Sequence, residues 1–199
     1  MSDDFMGPAP IAKKTCVIFL IVDTYDNMAG EKIKTINKAA PEIINRIKNV
    51  GNDFADYILK IATLSFNETI NWDPPFPVEL DDYIYEELPL GKKSLMGKAF
   101  SELASKLSKN SFLYSRVGIF APVIILLSDG KPTDDYKFGL ETLKQNKWYR
   151  HAYKIAFAIG EDANKDILAE FTGNHELVRN TLDIKFLEIT IRRLLFAVS

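Results

Sequence analysis

Asp23 closes the apolar run Cys16-Val17-Ile18-Phe19-Leu20-Ile21-Val22, and Asp129 closes a second run, Pro122-Val123-Ile124-Ile125-Leu126-Leu127-Ser128. Strands buried on both faces of a parallel sheet read as such continuous runs, and open α/β sheets bind ligands outside the carboxyl ends of their strands. Two strands that each stop at a carboxylate therefore predict an acidic, oxygen-rich rim. Function is expected at such a rim, or its carboxylates cap the helices that follow their strands. A hydroxyl residue, Ser94, precedes Leu95, Met96, Ala99, Phe100, Leu103 and Leu107, whose spacing predicts a helix with Ser94 as its first residue or cap.

Catalytic constellations fit the chain poorly. Gly91-Lys92-Lys93-Ser94 departs from a phosphate loop, because Lys93 stands where Ser or Thr should follow Gly-Lys and Glu86 replaces the leading glycine. An aspartate-nucleophile phosphotransferase of the haloacid dehalogenase type needs a second acid two residues after the first, and Tyr25 occupies that place. His151 and His175 lie far apart with no cysteine nearby, which suits surface histidines. No Gly-x-Ser-x-Gly elbow, zinc-ligand spacing or Gly-x-Gly-x-x-Gly follows a strand. The expectation is a protein that is not an enzyme, with a divergent Mg²⁺-dependent phosphotransferase using Asp23 as the least favoured alternative.

The elements that must position these residues alternate between strand and helix, which implies a mostly parallel, doubly wound sheet covered on both faces. Ile33, Ile36, Ala39, Ala40, Ile43, Ile44 and Ile47 predict a long amphipathic helix with Gly51 just past its end, and Pro41 kinking it or splitting it in two. Tyr57 to Phe66 and Thr69 to Trp72 predict a strand pair joined by a short turn, so one antiparallel edge strand is expected. Asp73-Pro74-Pro75-Phe76-Pro77 breaks regular structure, and the connection from there to Gly91 is poorly patterned. Tyr136 to Lys147 predicts a helix, Tyr153 to Ile159 a strand, Lys165 to Phe171 a short helix ended by Gly173, and Leu177-Val178 a last short strand. Asp183 is placed to cap a final helix presenting Leu187, Ile191, Leu194, Leu195 and Val198 on one face. One domain over residues 14–199 with a frayed leader over 1–13 is expected. A net charge of −2 leaves no electrostatic footprint for nucleic acid or anionic lipid. The lone Cys16 suits a core position in a reducing compartment, and with no signal-peptide pattern a cytoplasmic location is expected.

The order strand-Asp-x-x-x-x-Met, then Ser-x-x-Gly-x-Ala opening a helix, then strand-Ser-Asp-Gly-x-Pro-Thr-Asp resembles the von Willebrand factor A domain from about Lys14 to the last helix. Within that family, Leu127-Ser128-Asp129-Gly130-Lys131-Pro132-Thr133-Asp134-Asp135 followed by Ala158-Ile159-Gly160 looks most like the TerY-type proteins of bacterial tellurite-resistance and stress operons. The resemblance implies a protein-binding module with a metal-ion-dependent adhesion site, in which Asp23, Asn27, Ser94 and Asp129 hold Mg²⁺, or Mn²⁺ or Ca²⁺ in its place. Such a site suits the hard oxygen donors that Mg²⁺ requires. It also implies a protein partner that offers an acidic residue to the metal, among them an operon-encoded kinase or phosphatase. Two departures make the site degenerate. Tyr25 stands where the family has a Ser, and Lys92 and Lys93 stand where relatives carry small glycines. Either ammonium could neutralise Asp23 or Asp129, giving a metal-free scaffold as the alternative.

Overall fold

The computed structural model describes residues 12–52, 57–180 and 184–196. Seven strands, β1 (Lys14–Asp23), β2 (Tyr57–Phe66), β3 (Ile70–Trp72), β4 (Val78–Glu79), β5 (Val123–Ser128), β6 (Tyr153–Ala158) and β7 (Val178–Asn180), form one sheet in the order β3-β2-β1-β5-β6-β7. The pairs β1·β2, β1·β5, β5·β6 and β6·β7 are parallel. The short β3 and β4 both run antiparallel to β2, so the expected antiparallel edge is made of two pieces. From β1 the chain first moves outward to β2 and later returns to the other side of β1 as β5. The carboxyl ends of β1 and β5 thus form the point where the strand order reverses, and a crevice opens there in doubly wound sheets.

Alternation along β1 sends Cys16, Ile18, Leu20 and Val22 to one face and Val17, Phe19 and Ile21 to the other. The first face packs on Ile36, Ala40, Ile43 and Ile47 of α1 (Glu31–Asn52) and on Ile191 of α6 (Ile184–Phe196). The second packs on α2 (Met96–Lys106), α3 (Tyr136–Gln145) and α5 (Lys165–Thr172), with Phe100 stacked on Phe171 at 5.2 Å between centroids. Both faces of the central strands are therefore dry, which is why β1 and β5 carry hardly a polar residue before their last positions.

Three local readings of the sequence are corrected. Pro41 lies inside a single 22-residue helix, since the buried isoleucine stripe on both sides of it outweighs one lost backbone hydrogen bond, and Gly51 lies within its last turn. The helix expected over Tyr136 to Lys147 stops at Gln145, because the Asn146 side chain accepts from Trp148 N and Tyr149 N and starts α4 (Lys147–His151). The poorly patterned connection after Pro77 is anchored. Leu80 and Tyr83 are buried, and the Tyr83 hydroxyl bonds Thr63 Oγ1 at 2.7 Å. Ser94 is not the cap of α2; Leu95 holds that position without a side-chain bond, and Asp134 accepts from Gly97 N at 3.0 Å and Lys98 N at 3.1 Å. Most of the expected leader, Asp183, and the side chains of Leu187, Leu194, Leu195 and Val198 lie outside the described residues. No helix among the described residues is long and apolar enough to cross a membrane.

Candidate functional site

The carboxyl ends of β1 and β5 bring Asp23, Ser128 and Asp129 together, and the segment leading into α2 adds Ser94; all four are fully buried. Asp23 Oδ2 accepts from the Ser94 hydroxyl at 3.0 Å and the Ser128 hydroxyl at 2.8 Å, while its Oδ1 accepts from Tyr25 N at 3.2 Å. Three stretches remote in sequence thus converge on one carboxylate. Ser94 is held there by Thr133, whose N–H donates to Ser94 O at 2.8 Å and whose Oγ1 accepts from Ser94 N at 3.1 Å. The β1 end is held by Thr24, which donates from N to Phe66 O at 2.9 Å and accepts at O from Gly91 N at 2.9 Å. Gly130 follows Asp129 with φ of +69°, and a Cβ there would stand 2.4 Å from Asn164 O, so the turn requires glycine.

Asp129 has different partners. Its Oδ2 accepts from Asn27 Nδ2 at 2.8 Å and from the Lys32 ammonium at 3.0 Å, and its Oδ1 accepts from Lys131 N at 3.2 Å. Lys32 is shared with Asp162 Oδ1 at 2.9 Å, and Asp162 also pairs with Lys131. The cation on Asp129 therefore comes from the first turn of α1 and not from Lys92 or Lys93. Both of those are exposed on the loop before α2, where the Lys92 N–H donates to Glu68. Tyr25 contributes its backbone N–H to Asp23 and forms an isolated bridge with Gly91.

Electrostatics separates the two aspartates. Burial pushes the Asp23 carboxyl up to about 7, the nearby Asp129 charge pushes the same way, and the bonds from Ser128, Tyr25 N and Ser94 offset only part of the rise. For Lys32, burial lowers the ammonium's affinity for its proton, yet the bonds to Asp162 and Asp129 outweigh burial and hold it above its ordinary value. Asp162 is held well below the usual carboxylate range by Lys131 and Lys32.

A divalent ion needs lone pairs aimed into one space. Asp129 Oδ2 here faces two N–H donors, one of them charged, and Asp23 Oδ2 faces two hydroxyl donors. With Lys32 seated, the donor set fits an ammonium and does not fit Mg²⁺. Asn27 Oδ1 is the exception, a buried oxygen with no hydrogen-bond partner.

Lys32, Ser128, Thr133, Asp134 and Asp162 are not among the site residues expected from the sequence. For Lys32 a signal existed: a cation in the first turn of a helix opposes the helix dipole, so its presence there asks for a compensating anion.

By sequence, no protein-family model and no curated protein matches the chain. By structure it is similar to the ArnB paralogue VWA2 of Sulfolobus acidocaldarius, with 22% identity and a TM-score of 0.61, over 92% of this chain and 45% of that one. It is similar to a von Willebrand factor type A protein of Catenulispora acidiphila, with 16% identity and a TM-score of 0.60, over 92% of this chain and 42% of that one. It is also similar to proximal thread matrix protein 1 of the mussel byssus, in a structure with a zinc-occupied adhesion motif, with 15% identity and a TM-score of 0.60, over 92% of this chain and 48% of that one. The chain spans less than half the length of each of these proteins. At such identities the likeness speaks for architecture alone: the chain has the von Willebrand factor A fold.

Proposed function

We propose that the chain is a non-enzymatic protein-interaction module of the von Willebrand A type that docks its partner at the rim formed by Asp23, Asn27, Ser94 and Asp129. The observation that carries this reading is the convergence of the fully buried Asp23, Ser94, Ser128 and Asp129 at the point where the strand order reverses. Burying that many polar groups stabilises little by itself, and their placement at the crevice is what a binding rim needs. Both hydroxyls are engaged by Asp23, and Asp23 is inaccessible, so no exposed nucleophile stands beside a base and a phosphotransferase role is disfavoured. The sequence likeness of Leu127 to Asp135 supports a place in a bacterial tellurite-resistance or stress system, with an operon-encoded kinase or phosphatase as the partner that presents an acidic residue.

A second reading keeps the module and adds Mg²⁺, with Mn²⁺ or Ca²⁺ as substitutes. The partnerless Asn27 Oδ1 favours it. The module itself is tested by quantitative affinity capture with the wild-type chain, Asp23→Ala and Asn27→Ala, each first shown to be folded by thermal unfolding. The partner should be retained by the wild type and weakened at least tenfold by either substitution. Unaltered affinity in both variants would place the interface elsewhere.

A further inference from the structure

We propose that Lys32 is the resident cation of this rim: its ammonium takes the role that a divalent ion has in a metal-dependent adhesion site, so the rim is complete without metal and gains metal affinity only when Lys32 is removed. The inference concerns the same site as the interaction reading and rests on that reading only for the relevance of the rim to a partner.

Asp129 is fully buried, and a carboxylate so placed is costly unless a cation or several donors compensate it. Lys32 supplies that charge at 3.0 Å, with its side chain 18% exposed. It starts from the first turn of α1, where the helix dipole disfavours a positive charge, and the bonds to Asp129 and Asp162 are what hold it there. The aliphatic stem also has a bed prepared for it. Gly160 ends the β6 arm with φ of +90°, and a Cβ at that position would stand 2.6 Å from Lys32 Cε and 3.4 Å from Lys32 Cδ. The space a side chain would fill is occupied by the lysine stem.

Asp162 completes the device from the outside, binding Lys32 at 2.9 Å and Lys131 at once. Two of the three ammonium N–H groups are thereby used. The third suits an acceptor brought by a partner, and a cavity of about 380 Å³ whose lining includes Glu31, Lys32, Thr35, Glu161, Lys165 and Asn180 opens beside it. An acidic side chain entering there would meet the ammonium directly, as it meets the metal in a metal-dependent site.

The test is calorimetric titration of the EDTA-stripped full chain with Mn²⁺, for the wild type, Lys32→Ala, Lys32→Met and Lys32→Ala/Asp129→Ala, with folding of each verified by thermal unfolding. Lys32→Met keeps the stem and removes the charge, so it stands in if Lys32→Ala does not fold. The expected result is at least tenfold tighter Mn²⁺ binding in the Lys32 variants than in the wild type, lost again when Asp129 is also removed. Wild-type binding as tight as that of the Lys32 variants would overturn the proposal, and so would variants that gain nothing. Tighter binding that persists without Asp129 would overturn it as well, by locating the metal elsewhere. Partner capture read in parallel separates the two readings, because loss of the interaction reading leaves the Mn²⁺ result in place and the reverse also holds.

Discussion

Asp23 gives this fold a pH dependence opposite to that of most proteins with structured carboxylates. Its pKa rises from 3.8 to about 7 on folding, chiefly through burial, so the native state holds a proton that the unfolded chain has released across that interval. Stability falls with pH wherever the native state binds the additional proton. The penalty is therefore absent below about pH 4, grows through the interval, and is complete above about pH 7. At 1.36 kcal/mol for each pH unit, the rise corresponds to about 4 kcal/mol. Asp23→Asn removes the titration while keeping the volume, and the hydroxyls of Ser94 and Ser128 can turn from donor to acceptor toward the new amide. Urea unfolding of wild type and Asp23→Asn in EDTA from pH 4 to 8 isolates the effect, since the other titrating groups are shared by both chains. The variant should gain on the wild type by about 4 kcal/mol over that range. A gap that stays constant with pH, or that moves in the wild type's favour as pH rises, refutes the reasoning and shows that the three hydrogen bonds to Asp23 outweigh its desolvation.

Gly139→Ala should destabilise although alanine is the better helix former, because its Cβ would stand 1.9 Å from the backbone oxygen of Gly97. Overpacking costs typically ~1–3 kcal/mol against a propensity gain of ~1, and here the obstacle is rigid backbone, so a net loss of ~2 kcal/mol or more is expected in urea unfolding. Asp134→Ala removes the carboxylate that accepts from Gly97 N and Lys98 N, and should cost ~1–2 kcal/mol, read as a lowered urea midpoint at constant slope. Phe100→Ala opens a void between α2 and the sheet beside Phe171 and should cost ~3–5 kcal/mol by the same measurement.

The sheet was legible because β1 and β5 are dry on both faces, and nothing but an unbroken apolar run can fill such a strand. Where the chain makes its bonds by single side chains, pattern carries no such information. Asn146 ends one helix and starts the next through one amide oxygen, and Leu80 and Tyr83 are buried from a segment without any period. Asp134 shows the same limit at the site, since it caps a helix that starts 38 residues earlier in the chain, at Met96. The acidic half of the rim follows from where strands end, so Asp23 and Asp129 could be named from sequence.

The basic half could not be placed the same way. Lys92 and Lys93 adjoin Ser94 in the chain, and adjacency made them the natural candidates to neutralise the aspartates. Yet Ser94 is carried inward by its bonds to Asp23 and Thr133, while the loop residues before it remain at the surface. Lys32 lies nine residues beyond Asp23, but the turn containing Asn27 and Gly30 folds back so that the first turn of α1 faces the carboxyl end of β5. The reach of a lysine stem over the bare backbone of Gly160 then closes the distance. Position relative to the helix dipole, rather than distance along the chain, distinguishes the two cases. A cation on a loop is readily solvated, whereas a cation opening a helix is disfavoured by the dipole, and for Lys32 the carboxylate of Asp129 across the rim compensates it.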